Sequence, residues 1–107
     1  MSDVIKAEAF RAVDGVDYQA AGVVSRTIIK NDAGSVTYFA FDEGEELSEH
    51  SAPYDALVHV LDGQVDIIID GVSSILGVGD VILMPADVPH AVKAVSRFKM
   101  CLTMVRG

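Results

Sequence analysis

The feature that most limits the fold of this chain is a series of glycine–aspartate turns between short apolar runs. Asp62-Gly63 and Asp70-Gly71 lie eight residues apart, and Gly79-Asp80 follows nine residues later. Each Asp-Gly pair stands between runs rich in valine and isoleucine, where it predicts a tight hairpin because both residues tolerate a positive φ. Short strands at this spacing are typical of an antiparallel sandwich or a small barrel.

The rest of the chain continues the strand pattern on both sides of these turns. In the last apolar run, four large residues alternate with others and therefore share one face of a strand. They are Phe98, Met100, Leu102 and Met104. Residues 1–19 are weakly patterned, and we expect no helix there. We predict an all-β domain with strands at residues 23–30, 35–41, 56–61, 65–69, 72–76, 81–84, 91–95 and 98–105.

Composition and charge indicate which cellular compartment and which classes of binding partner to expect. The 107 residues suit one domain, and the net charge of −8 argues against nucleic-acid and membrane partners because an acidic surface repels phosphate groups. The densest acidic stretch, residues 42–49, is interpreted as a solvated loop. Cys101 is the only cysteine, so no disulfide can form within the chain. With neither a signal-peptide pattern nor an apolar run of membrane-spanning length, we expect a cytoplasmic protein.

Two further spacings carry a family resemblance. The first is Gly44-x5-His50-x-Ala52-x3-Ala56-x6-Gly63, and the second is Gly79-x5-Pro85-x-Asp87-x2-His90-x3-Ala94. They resemble the two motifs of the cupin family (the RmlC-like cupin superfamily), Gly-x5-His-x-His-x3-Glu-x6-Gly and Gly-x5-Pro-x-Gly-x2-His-x3-Asn. Fifteen residues separate the motifs, as in small bacterial cupins, and the resemblance covers about residues 36–104. It implies a single cupin domain over residues 1–107, a cupin-type antiparallel β-sandwich or jelly-roll barrel, with residues 1–19 packed against it or against a partner.

The resemblance is incomplete at the metal ligands. In the complete pattern, three histidines and one glutamate hold one divalent cation, whereas here Ala52 stands for the second histidine and Ala56 for the glutamate. Only His50 and His90 remain, and two imidazoles form a weak site because catalytic metal sites generally use three protein ligands. Two interpretations stay open. Either His50 and His90 hold a divalent transition metal together with waters, or both act as hydrogen-bonding groups in a metal-free pocket.

The strand pattern indicates which side chains would surround these histidines. We expect the ligand-binding residues to be His50, His90, Tyr54, Val58, Met84, Phe98, Met100 and Leu102, with Val60 and Met104 beside them. The same apolar residues would equally form the ordinary filling of a small barrel. His59 has the opposite parity from Ala56 and is expected to face away from the cavity. A lysine or arginine at the mouth would favour a carboxylate or phosphate ligand.

Two functions from different classes follow from these residues. The first is a cupin-barrel protein that binds a small molecule in its cavity, with His50 and His90 at the mouth. The alternative is a metal-dependent enzyme, oxygenase-like or isomerase-like, that uses a divalent ion held by the same two histidines. A stable dimer without chemistry of its own is a third interpretation. Exposed edge strands and the family resemblance both favour a homodimer.

Overall fold

Nine antiparallel strands form two packed sheets in the computed structural model, which describes residues 6–106. The strands are β1 (Val23–Asn31), β2 (Gly34–Phe41), β3 (Glu46–His50), β4 (Asp55–Asp62), β5 (Val65–Ile69), β6 (Val72–Leu76), β7 (Val81–Met84), β8 (His90–Ala94) and β9 (Phe98–Val105). The helical structure of this described chain is a single 3-10 turn at Ala12–Asp14. Residues 6–106 therefore contain no helix of the length and apolar character that a membrane crossing requires.

The chain passes repeatedly from one sheet to the other. One sheet has the strand order β1-β2-β9-β4-β7 and the other has the order β3-β8-β5-β6, so most consecutive strands lie in different sheets. This exchange of strands closes the two sheets into a jelly roll. The predicted all-β antiparallel sandwich is confirmed, and every strand predicted from the sequence has a counterpart.

The two Asp-Gly turns have different roles. Asp70-Gly71 is a hairpin turn between the paired strands β5 and β6, with φ of 49° and 79°. The hairpin predicted at Asp62-Gly63 is wrong, because β4 pairs with β7 and β9 while β5 pairs with β6 and β8. Gly63 still has a positive φ of 71°, and a Cβ there would overlap the carbonyl oxygen of Arg97. A dipeptide thus selects a turn geometry, whereas burial across the domain selects the strand partners.

The interpretation of residues 42–49 as a loop is wrong for its second half. Glu46–His50 forms β3 at the edge of the four-stranded sheet, where Leu47 lies opposite Val92. Leu47 packs against the core, whereas the glutamates of this strand are exposed. Edge strands tolerate charged residues because one edge and one face stay in water. A single inward leucine among acidic residues is too weak a pattern to predict a strand.

The core lies between the sheets and is closely filled. Its fully buried side chains come from both sheets and are Phe41, Val58, Val60, Val65, Ile67, Val92, Phe98 and Met100. The rings of Phe41 and Phe98 stack with their centroids 4.6 Å apart. Burial of each such side chain stabilises the fold by roughly 1.5–3 kcal/mol. This apolar filling holds the two sheets, and with them the strand ends, at a fixed separation.

Residues 10–18 cover part of the outer face of the five-stranded sheet. The Lys99 ammonium donates to the Val13 carbonyl over 2.6 Å, and the Tyr18 hydroxyl donates to Asp62 over 2.7 Å. Burial and the hydrogen bond to Asp62 raise the pKa of the Tyr18 phenol. Asp62 ends β4, whereas His50 and His90 lie near its beginning, so these contacts anchor the opposite end of the barrel.

Candidate functional site

One end of the barrel, which we call the mouth, is formed where β3 ends, β4 begins, β7 ends and β8 begins. The loops at this end are tied to each other. The Asp87 N–H donates to the Ala52 carbonyl over 2.8 Å, and the Ala86 N–H donates to the Asp55 carboxylate over 2.9 Å. The backbone that carries the motif positions is therefore held by hydrogen bonds between two loops.

The glycine positions of both motifs share a left-handed backbone. Gly44, Gly63 and Gly79 have φ of 80°, 71° and 89°. Asp87 stands where the family motif has glycine, and its φ of 64° lies in the same region. Aspartate tolerates this conformation better than most residues do. The substitution therefore preserves the turn that leads from β7 into β8.

His50 and His90 face each other at the mouth. They are opposite residues on the paired strands β3 and β8, in one row with Ile69 of β5. Ile69 packs against the core, so this row lies on the inward face of the four-stranded sheet. The two Nε2 atoms are 3.1 Å apart, and the ring planes meet at 68°. His90 is buried, with 6% of its surface exposed, whereas His50 on the edge strand is exposed.

Backbone carbonyls hold the other ring nitrogen of each histidine. His50 Nδ1 is 2.7 Å from the Ser48 carbonyl oxygen, and His90 Nδ1 is 3.2 Å from the Val88 carbonyl oxygen. Because a carbonyl oxygen only accepts, each Nδ1 carries the hydrogen in these contacts. In the neutral state both Nε2 lone pairs then point into the gap between the rings. Two acceptors this close call for a shared proton, a hydrogen-bond donor or a cation between them.

The surroundings of His90 favour its neutral form. Burial lowers its pKa because the imidazolium would lose hydration, and the neighbouring His50 lowers the pKa further. The contact with the Val88 carbonyl acts in the opposite direction. At neutral pH His90 is therefore an uncharged imidazole, the form that accepts a hydrogen bond or binds a metal.

The two Nε2 atoms fit two positions around a metal ion but do not complete a site. With metal–nitrogen bonds of about 2.0–2.1 Å, nitrogens 3.1 Å apart subtend an angle of about 95–100° at the ion. Such an angle suits neighbouring ligands. Ala52 and Ala56 supply no ligand, and residues 6–106 hold no group of three or more His, Cys, Asp or Glu that could bind a metal. A metal here would need oxygen ligands from water or from a bound molecule.

The other predicted site residues lie at different depths. Four of them are buried members of the core: Val58, Met84, Phe98 and Met100. Leu102 is partly buried and packs against them. These side chains fill the interior below the histidines, so a ligand of the pair would sit at the mouth rather than deep in the barrel. His59 is exposed on the opposite face of β4. Tyr54 lies at the mouth, where it lines a separate pocket.

This pocket of about 190 Å³ opens at the mouth on the side of the five-stranded sheet. The side chains that line it are Lys30, Asn31, Ser35, Tyr54, Met104 and Arg106. We call it the Tyr54 pocket. The sequence pattern does not identify Asn31, Ser35 and Arg106, because the β2–β9 register is what brings the last residues of β9 to the β1–β2 turn. The available signal was the Asn-Asp-Ala-Gly turn at residues 31–34, which places its flanking side chains at one strand end.

Known proteins share this architecture. A family model described as Cupin domain matches residues 37–106. A conserved protein of unknown function from Streptococcus pyogenes is 33% identical with a TM-score of 0.93, and the match covers 99% of this chain and 93% of that one. A Cupin 2 conserved barrel domain protein from Leptotrichia buccalis is 38% identical with a TM-score of 0.88 over 91% of this chain. The present chain spans 47% of that longer protein.

A cupin superfamily protein from Desulfitobacterium hafniense DCB-2 has a TM-score of 0.92 over 99% of this chain and 97% of its own, and at 24% identity it supports the shared fold alone. A search of curated proteins finds no match. The family match covers well over half of the chain and includes both motifs, His50 and His90 among them. The chain therefore belongs to the cupin family.

Proposed function

We propose that this cupin binds a small molecule at the barrel mouth, with His50 and His90 as its contact groups. The observation that carries the proposal is the pair of Nε2 atoms 3.1 Å apart, each on a ring whose Nδ1 is engaged by a backbone carbonyl. The rings are oriented before a ligand arrives, which lowers the entropic cost of binding. A few convergent polar groups beside apolar side chains are the usual composition of a small-molecule site.

The same geometry limits the chemistry of the ligand. The neutral pair accepts hydrogen bonds, so a hydroxyl or ammonium group suits it, whereas the singly protonated pair can donate to an anion. The core below is filled by Val58, Phe98 and Met100. The ligand is therefore small, or most of it remains outside the barrel.

Nuclear magnetic resonance of the histidine rings tests this proposal. The ring resonances of ¹⁵N-labelled protein would be followed during titration with small alcohols, amines and carboxylic acids. We expect one of these classes to shift the resonances of both His50 and His90, and its binding to be lost in His50→Ala and in His90→Ala. His59→Ala is the matched control because His59 lies on the outer face of β4, away from the mouth. Binding that survives in both mouth variants, or an equal loss in the control, would contradict the proposal.

A metal-dependent enzyme is the second candidate, and the separation of the two Nε2 atoms is the observation that favours it. An ion held by His50 and His90 would keep most of its coordination positions for water or substrate. When bound, it would supply Lewis-acid or oxygen-activating chemistry. Elemental analysis of untagged wild type and of His50→Ala separates the candidates. Stoichiometric metal that disappears in the variant supports the enzyme, and a wild type without metal after growth in metal-supplemented medium removes this candidate.

We also propose a homodimer that pairs through the outer face of the five-stranded sheet. One row of side chains crosses this face from β7 to β1 and consists of Leu83, Leu57, Thr103, Val36 and Ile29. The adjacent row consists of Val81, His59, Cys101, Tyr38 and Arg26, and residues 10–18 of the same chain cover it at Tyr38 and Arg26. Leu83, Leu57 and Ile29 are 40–56% exposed. Neither row contains a carboxylate, so two chains of net charge −8 can meet here with less repulsion than through their acidic surfaces.

Size-exclusion chromatography with light scattering tests this interface. We expect the wild type to be a dimer and Leu57→Glu to be a monomer, because the substitution would bury an unpaired carboxylate between the two copies. Val78→Glu is the matched control, since Val78 is 66% exposed in the loop between β6 and β7. A monomeric wild type, or a Leu57→Glu protein that remains dimeric, would refute this interface.

A further inference from the structure

The Tyr54 pocket has the opposite charge from the protein around it. Lys30 and Arg106 both line it, and its described lining includes no Asp or Glu. The whole chain has 16 acidic and 8 basic residues. On a protein with twice as many acidic as basic residues, a pocket lined by two basic side chains and no carboxylate is unusual. Two cations at one pocket favour an anionic ligand, even though the net charge of the whole protein disfavours one.

Contacts restrain both the backbone and the side chain of Arg106. Its backbone N–H donates to the Ala33 carbonyl over 2.9 Å, and its guanidinium lies over the Tyr54 ring with Cζ 4.9 Å from the ring centroid. Stacking on an aromatic face leaves the edge N–H groups of a guanidinium available for paired hydrogen bonds to a carboxylate. Because the side chain is already restrained, it loses less conformational freedom when an anion binds.

The strand register adds further donors. Lys30 lies opposite Ser35, and Ser35 lies opposite Met104, so these three side chains share one face of the sheet at the mouth. The side-chain oxygen of Asn31 accepts a hydrogen bond from the Ala33 N–H over 2.8 Å, which leaves the amide NH₂ group of Asn31 as a donor. Ammonium, hydroxyl and amide groups thus accompany the guanidinium. All of them can donate to carboxylate oxygens.

The size of the pocket and its apolar walls indicate that a suitable anion has an apolar part. A cavity of about 150 Å³ accommodates benzene, so the 190 Å³ of the Tyr54 pocket suits a molecule of similar size. The thioether of Met104 and the ring of Tyr54 offer apolar surface, which inorganic phosphate cannot use. A short organic acid can use the cationic and the apolar parts together.

We infer that the Tyr54 pocket is a binding site for a small organic carboxylate, with Arg106 and Lys30 as its charged contacts. Met104 packs against the carbon body of the acid. The site is separate from the histidine pair, since neither His50 nor His90 lines it. The inference therefore does not depend on the function proposed for that pair.

Isothermal titration calorimetry at constant low ionic strength, with benzoate, inorganic phosphate and benzyl alcohol as probes, tests the inference. We expect benzoate to bind most tightly, because it alone combines a carboxylate with an apolar ring. Arg106→Gln and Lys30→Gln should each weaken benzoate binding by about tenfold or more, the scale expected for the loss of one hydrogen bond between charged groups. Thermal denaturation of each variant checks that it remains folded.

Lys93→Gln is the matched control because it removes the same charge from an exposed position of β8 in the other sheet. Three results would overturn the inference: benzoate that does not bind the folded wild type, phosphate that binds as tightly as benzoate, or a Lys93→Gln effect as large as that of Arg106→Gln. The ring resonances of His50 and His90 report on the other proposal. Failure of one proposal is thus distinguishable from failure of the other.

Discussion

Restoring the two missing ligand positions would test whether the mouth keeps the metal-binding geometry of the family. The double substitution Ala52→His and Ala56→Glu introduces the second histidine and the glutamate of the cupin motif. The existing pair, His50 and His90, supplies the other two ligands, and its Nε2 atoms at 3.1 Å suit neighbouring positions on one ion. We expect the double variant to bind Co²⁺ much more tightly than the wild type does.

The size of this effect follows from the number of ligands added. Loss of a group that only supports a metal ligand costs about 10–100-fold in affinity, so each restored ligand should contribute at least about tenfold. Two ligands then contribute at least about 100-fold, or about 2.8 kcal/mol at about 1.4 kcal/mol per tenfold. Ala56 is 3% exposed and lies opposite Met84 and Met104, so the glutamate also crowds the core. The metal-free variant should be destabilised by about 1–3 kcal/mol, and bound Co²⁺ should recover this loss.

Visible absorption during a Co²⁺ titration measures the affinity, because the spectrum of this ion depends on its ligands. Circular dichroism checks the fold, and thermal denaturation with and without Co²⁺ measures the linked stabilisation. The control is the triple variant that also carries His90→Ala, which should lose most of the gain. A folded double variant that binds Co²⁺ no more tightly than the wild type would refute the reasoning, since the motif positions would then not converge on one ion.

Three further changes test other parts of the structure. Burial lowers the pKa of His90, so the unfolded chain takes up more protons than the folded protein as the pH falls below about 6.5. Metal-free wild type should therefore lose stability there in urea denaturation, and an equal loss in His90→Gln would contradict this cause. Phe98→Ala should cost about 3–5 kcal/mol in the same assay because its stacked ring is fully buried; a cost under about 1 kcal/mol would argue against that packing. Gly63→Ala should lower the Tm more than Gly71→Ala, because both have positive φ but only the Cβ at Gly63 would overlap the Arg97 carbonyl.

The strands were predictable because their signals are local. Alternating apolar residues and turn dipeptides identify a strand and its end without reference to the rest of the chain. Pairing is different, since it depends on which surfaces are buried together. The hairpin expected at Asp62-Gly63 was wrong for this reason, and so was the second half of the loop expected over residues 42–49. In both places the local pattern was compatible with more than one partner.

The histidine pair was predictable only through motif spacing. His50 and His90 are 40 residues apart in the chain, and the periodicity around either one indicates nothing about the other. The family motif implies one mouth for both. The tautomers of the two histidines could not be predicted from the sequence. They depend on the carbonyls of Ser48 and Val88, whose positions follow from the ends of two paired strands. The tautomers nevertheless decide the chemistry, since they leave both Nε2 atoms as acceptors.

Unlike the histidine pair, Lys30 and Arg106 could not be predicted as a site, because no motif includes them. They meet through a register in which Asn31 lies opposite Gly34 and Gly34 lies opposite Val105. A shift of β9 by two residues would keep every apolar side chain on its present face, yet it would move the guanidinium by about 7 Å along the strand. Apolar alternation is thus satisfied by several registers, of which only one builds the cationic pocket. In this cupin, which has histidines at two of the four ligand positions, the ligand motif identifies the histidine pair, whereas the cationic pocket depends on strand register alone.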